Sequence, residues 1–284
     1  MAFPETVSLN YGQEKRVGTA KERQLGTRGV TADGRVFWYS RAGGTALANG
    51  VTVCAKGQEG SNQHATALVI STVLGDFNST AGSPGIQVGS ATIGIVWVTN
   101  HSSAEYTDGY MMIDTSPGMG TYRVVSDPDK GDSSTATTLR LHPDDTIAQE
   151  VLTTVSRIGF HANPHSSVIV TPASASAQAL TGVVLGVTQT EVPVNNFFWL
   201  QSSGIAHVRF NNLIAGLIGH SVITGPGATA GDVIGGSRTT LVTTAAITTL
   251  SVTHTNSMPI MGYAMANTTF ADGKFIRVML TLRS

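Results

Sequence analysis

Asp33-Gly34-Arg35-Val36-Phe37-Trp38-Tyr39, running on to Gly43-Gly44, sets a tight-turn dipeptide directly before a run of branched and aromatic residues. Asp-Gly tolerates the left-handed backbone of a hairpin turn, and the residues after it favour a pleated, half-buried surface, so the stretch reads as a turn followed by a strand. The rhythm returns at Asp108-Gly109-Tyr110-Met111-Met112-Ile113, running to Gly118, and at Asn195-Asn196-Phe197-Phe198-Trp199-Leu200, running to Gly204. The spacing is uneven, which makes these related hairpins rather than a strict repeat. Short apolar runs recur between turn signals on either side of them, at 36–39, 51–55, 67–73, 93–98, 110–113, 122–125 and 168–170. They continue at 183–187, 197–200, 206–210, 213–218, 241–246, 261–265 and 275–282. This pattern predicts an all-β chain of β-sandwich or barrel-like modules built from short antiparallel strands. Asp144 to Ile158 competes as a helix through apolar residues spaced by three and four, but Thr153-Thr154-Val155 at its centre favours a strand, because β-branched side chains lose rotamer freedom in a helix.

A chain of 284 residues has room for one large or two ordinary domains. Charged residues are 12% of it, against roughly 25% in typical soluble domains, so the surface is expected to be largely hydroxyl and amide. No apolar run approaches the ~18 residues that span a bilayer. Met1-Ala2-Phe3-Pro4-Glu5 lacks a basic stretch leading into an apolar one, so no secretory signal is expected, and the protein is expected to be made and kept in a cytoplasm or packaged there. The single cysteine, Cys54, excludes an intrachain disulfide and a thiolate metal cluster and reads as a small core residue. A net charge of −1 argues against a nucleic-acid binder.

The charge is nevertheless uneven. Residues 1–41 hold seven cations against four anions, a net of +3, which leaves −4 on the other 243 residues. Such asymmetry marks a segment with its own task. Residues 1–30, polar and without a sustained period, read as an extended N-terminal arm. The small-residue stretch Pro172 to Ala179 divides the rest into β modules at 31–171 and 172–284.

The constellations that would carry chemistry are weak. Asp127, Asp129 and Asp132 around Gly131 resemble a calcium loop, but Pro128 stiffens it and Thr138 stands where a bidentate Glu would be needed. His161 and His165 flank Asn163-Pro164 and cannot share a helical face. Gly225 to Gly231 lacks the Lys-Ser/Thr ending of a phosphate loop, and no Gly-x-Ser-x-Gly elbow occurs. No enzymatic activity, metal or cofactor is therefore expected. The sequons at Asn78, Asn100 and Asn267 carry no weight without a secretory signal. Trp38, Tyr39, Trp97, Phe197, Phe198 and Trp199 are aromatic enough for a stacking platform, although alternating aromatics on strands more often divide between core and interface.

Leu25-Gly26-Thr27-Arg28, the Asp33 to Tyr39 stretch and Ala42-Gly43-Gly44-Thr45-Ala46-Leu47-Ala48-Asn49-Gly50 together resemble the start of capsid decoration (cement) proteins of tailed bacteriophages. Asn163-Pro164-His165 before Val168-Ile169-Val170, Val192 to Gly204, Ile260 to Ala264 and the closing Phe275 to Leu282 are similar in order and spacing. Ser202-Ser203-Gly204 departs from the pattern, where a bulkier aromatic is expected before the glycine. The resemblance implies a virion protein, assembled in the host cytoplasm, that binds the exterior of the major capsid protein's shell, commonly as a homotrimer, and stabilises the head. It implies no direct nucleic-acid contact and no membrane. The residues expected to meet capsid or neighbour are Lys15, Arg16, Lys21, Arg23 and Arg28 in the arm, with the exposed share of Phe37, Trp38 and Tyr39. The alternatives are another phage structural subunit, major capsid or tail, and a host-glycan-binding module working through the aromatics.

Overall fold

A computed structural model of the chain describes residues 6–56, 85, 86, 88–95, 105–113, 119–126, 137–149, 151, 152, 158–172, 182–211, 218–224, 230–236, 260–266 and 274–282. The chain is all-β, as the turn and strand pattern predicts. It divides into two compact units, one formed by Gln58–Ser166 with Met1–Phe3, the other by Pro4–Gly57 with Ser167–Ser284. The boundaries read from composition, at 30 and 171, do not coincide with this division.

The strands before the inserted unit are β1 (Thr6–Leu9), β2 (Val17–Gly18), β3 (Arg28–Thr31), β4 (Val36–Arg41) and β5 (Thr52–Ala55). Within it lie β6 (Gly85–Ile86), β7 (Thr92–Ile95), β8 (Tyr110–Ile113), β9 (Gly120–Ser126), β10 (Thr137–Leu141), β11 (Val151–Leu152) and β12 (Ile158–His161). After it come β13 (Val168–Val170), β14 (Val184–Val187), β15 (Phe197–Phe210), β16 (Ser221–Thr224), β17 (Val233–Gly236), β18 (Ile260–Ala264) and β19 (Lys274–Thr281). In the inserted unit β12-β8-β9-β10-β7 form one five-stranded sheet about a core of Ile93, Met111, Ile113, Val124, Leu139 and Phe160. The Asp144 to Ile158 competitor resolves as loop and short strands where it is described.

The other unit is built on β15, which pairs with β4 along 197–203 and with β19 along 203–210. β19 alternates cleanly, burying Ile276, Val278 and Leu280 and turning Phe275, Arg277, Met279 and Thr281 outward, the period of two of a strand with one covered face. β4 does not alternate, because both its faces are covered. β5 and β13 are antiparallel neighbours, Ala55 opposite Val168, so the inserted residues leave and rejoin this sheet at adjacent points.

The three quoted turns hold left-handed backbone at Gly34 (φ 82°), Asp108 (φ 60°) and Asn195 (φ 61°), the conformation those residue types tolerate. Gly204 is different. Instead of ending a hairpin, it sits inside β15 at φ 87°, where the pairing with β4 shifts register between Gln201 and Ser203. The buried Gln201 side chain spans this bulge, its amide donating to the carbonyls of Ser203 (3.1 Å) and Ile205 (2.9 Å). Ser202 accepts a hydrogen bond from the Trp38 indole N–H at 2.9 Å, so the small residue serves a packed tryptophan.

A charge-poor chain was expected to carry its hydroxyls outside, yet many are buried against backbone. The Thr52 and Thr171 hydroxyls lie 2.6 Å apart, and Thr188 donates to the Ala48 carbonyl at 2.6 Å. Beside them Cys54 is fully buried on β5, and burial pushes its thiol up to about 11. The unfolded chain loses this proton near 9.0 while the folded chain keeps it, so this contribution to stability is intact below pH 9 and lost as the pH rises to 11. In denaturant titrations at stepped pH we expect Cys54 to contribute a decline of about 2 kcal/mol over that window, read as the difference between the native chain and Cys54→Ala. Native protein at pH 8 should also fail to react with Ellman's reagent, since only about one thiol in a thousand is ionised there.

Candidate functional site

The described part of the N-terminal stretch, residues 6–30, is fastened to the sheet rather than extended away from it. β1 runs parallel to β3, Thr6 opposite Arg28 through Leu9 opposite Thr31, and β2 pairs with the start of β15 at Phe197 and Phe198. Between them a single 3-10 turn, Gln13–Lys15, buries the Glu14 carboxylate to 3% exposure. Its two oxygens take the Gly12 N–H (2.6 Å) and the Arg35 guanidinium (3.5 Å). Arg35 is held in turn by Asp33 at 2.8 Å, whose carboxyl is pulled below its ordinary range chiefly by the Thr31 hydroxyl, with Arg35 adding to the effect. The Glu22 N–H donates to the Tyr39 hydroxyl at 3.0 Å, fastening the next stretch to β4. Burial raises the Tyr39 phenol above its ordinary value.

These fastenings leave a groove between the segment and the sheet. A hollow of ≈ 190 Å³ has Leu9, Val17, Tyr39, Phe197 and Trp199 as its apolar side and Arg16, Arg23 and Gln13 on its rim. A second hollow of ≈ 380 Å³, lined by Lys21, Glu22, Arg23, Gln24 and Thr27, adjoins it across Glu22 and Arg23. The rings are packed on one another: Tyr39 stacks on Phe197 at 5.9 Å and 8°, and meets Trp199 edge-on at 5.2 Å. The Arg41 guanidinium lies 5.8 Å from the Phe197 ring.

Of the residues expected at a contact, Lys15, Arg16, Lys21 and Arg23 are exposed and gathered along this segment, and Arg28 is half-buried on β3. Phe37 and Tyr39 correct the expectation. They are 0% and 4% exposed and belong to a core cluster with Leu9, Leu25 and Trp199, so neither ring has a face to offer a partner. Trp38, half-buried, spends its N–H on Ser202. The Glu14–Arg35 pair was not anticipated. The alternation Thr6-Val7-Ser8-Leu9 against Arg28-Gly29-Val30-Thr31 is the sequence signal that would have placed the segment in the sheet.

His161 ends β12 opposite Tyr110, and His165 is buried in a turn where its backbone N–H donates to Asn163 Oδ1 at 2.9 Å. Among the described residues no three or more His, Cys, Asp or Glu side chains gather as a metal site. The aspartates at 127–132, the three sequons, most of the Gly225–Gly231 loop, and the apolar runs at 67–73 and 241–246 lie outside the described residues. No protein family, curated protein or solved structure matches the chain.

Proposed function

We propose that this is a structural virion protein that binds the exterior of a phage capsid and stabilises the head, working through surfaces rather than a reaction. The observation that carries this reading is the basic segment held in place: four exposed cations fixed along one side of the large sheet by the Glu14–Arg35 pair and the Tyr39 hydrogen bond. A backbone already ordered loses less entropy on contact than a free tail, and many such weak contacts sum to tight attachment over a lattice. The sequence resemblance to capsid decoration proteins points the same way. The homotrimer that the resemblance implies is supported by an exposed apolar row on the opposite part of the sheet, where Ile205, Met279 and Tyr263 face outward on paired strands.

The test is co-sedimentation of the purified protein with undecorated heads of its own phage. Saturable co-migration at a stoichiometry tied to a symmetry axis of the shell is expected. Intact heads that sediment without the protein would overturn the proposal.

A further inference from the structure

Resting on the contact role just proposed, we infer that the groove under the N-terminal segment receives an extended acidic stretch of a partner protein, its carboxylates meeting Arg16 and Arg23 and one apolar side chain lying across the half-buried Val17 and Phe197. Charge selects the partner. Arg16, Lys21 and Arg23 against Glu22 leave the two adjoining hollows at +2, while their apolar side contains no charged group. A purely anionic partner would leave that apolar side uncovered, and a purely apolar one would strip water from two guanidinium groups without pairing them. A chain alternating carboxylates with an apolar residue satisfies both.

A single-stranded nucleic acid, the other polyanion of this width, fits less well. Such strands bind by stacking bases on free ring faces. Here Tyr39 and Trp199 are only 4% and 7% exposed, Tyr39 is stacked on Phe197, and Arg41 lies over Phe197.

The probes are the peptide Asp-Glu-Leu-Asp-Glu-amide with fluorescein on its α-amine, its uncharged counterpart with Asn and Gln, and a fluorescein-labelled oligothymidine of matched length, each titrated by anisotropy with the full chain. The acidic peptide should bind at least about tenfold more tightly than the amide peptide, weaken with added salt, and lose about tenfold or more on R16E/R23E. K56E/R140E, which makes the same change in net charge at two exposed residues outside the groove lining, should leave binding unchanged. Melting curves establish that both variants are folded. Equal losses in the two variants, tighter binding of oligothymidine, no binding of the acidic peptide, or an R16E/R23E effect seen only as dissociation of the protein's own oligomer would each overturn the inference. Failure here is separable from failure of the capsid proposal: heads that bind R16E/R23E as well as the native chain retain the proposal and reject the groove, whereas peptide binding without head binding does the reverse.

Discussion

Phe37→Ala should lower the unfolding free energy of the sheet-bearing unit by about 3–5 kcal/mol, the usual cost of emptying a closed aromatic site. Phe37 is fully buried among Leu9, Leu25, Tyr39 and Trp199, side chains drawn from four separate stretches, so no single one of them can move in to fill the space. The ring also carries the Arg35 guanidinium 5.5 Å from its centre, so its loss loosens the residue that holds Glu14. Arg16→Ala, at an exposed position in the same unit, should stay within about 0.5 kcal/mol. Urea denaturation followed by tryptophan fluorescence separates the two cases. If Phe37 instead served a partner, its replacement would leave the midpoint near that of the native chain, and the packed cluster would not be holding the N-terminal segment.

That contrast marks how far the sequence can be read. The turns at Gly34, Asp108 and Asn195 were legible because a left-handed backbone is a local requirement that Asp, Asn and Gly meet on their own. β19 was legible because one covered face leaves a period of two. The direction in which Phe37 and Tyr39 point was not, since β4 is covered on both sides and its burial has no period to follow. Nor was the fate of Gly204: a glycine after two serines looks like a turn, and only Gln201, whose amide takes both carbonyls across the bulge, lets the strand continue. The long insertion was hidden for a related reason. It depends on β5 pairing with β13 across more than a hundred residues of chain, and composition changes most visibly elsewhere. At the candidate site the cations were legible as a cluster of charge, whereas the fastening beneath them was not, because Glu14 and Arg35 lie 21 residues apart and meet only once β3 and β4 have formed.

Glu14→Ala tests that fastening directly and should cost about 2–3 kcal/mol. The carboxylate is 3% exposed and serves two donors, so its removal leaves the Gly12 N–H without an acceptor and takes one of two acidic partners from Arg35. The loss falls short of that for a fully buried pair because Asp33 still holds Arg35 at 2.8 Å. Glu14→Gln, which keeps an oxygen for Gly12 but gives up the charge, should lose roughly half as much. Hydrogen exchange should speed up over residues 10–18 in the alanine variant while β15 and β19 remain protected, a local opening rather than a global one. Unchanged exchange in that segment would mean that strand pairing alone holds it. Gln13 belongs to this turn, Arg16 and Val17 follow directly from it, and all three line the groove, so Glu14→Ala should also weaken the acidic peptide with both rim arginines still in the chain. A groove that bound the peptide equally well after losing Glu14 would have to be assembled by the β1 and β2 pairings, and the buried carboxylate would then contribute stability without contributing the shape of the site.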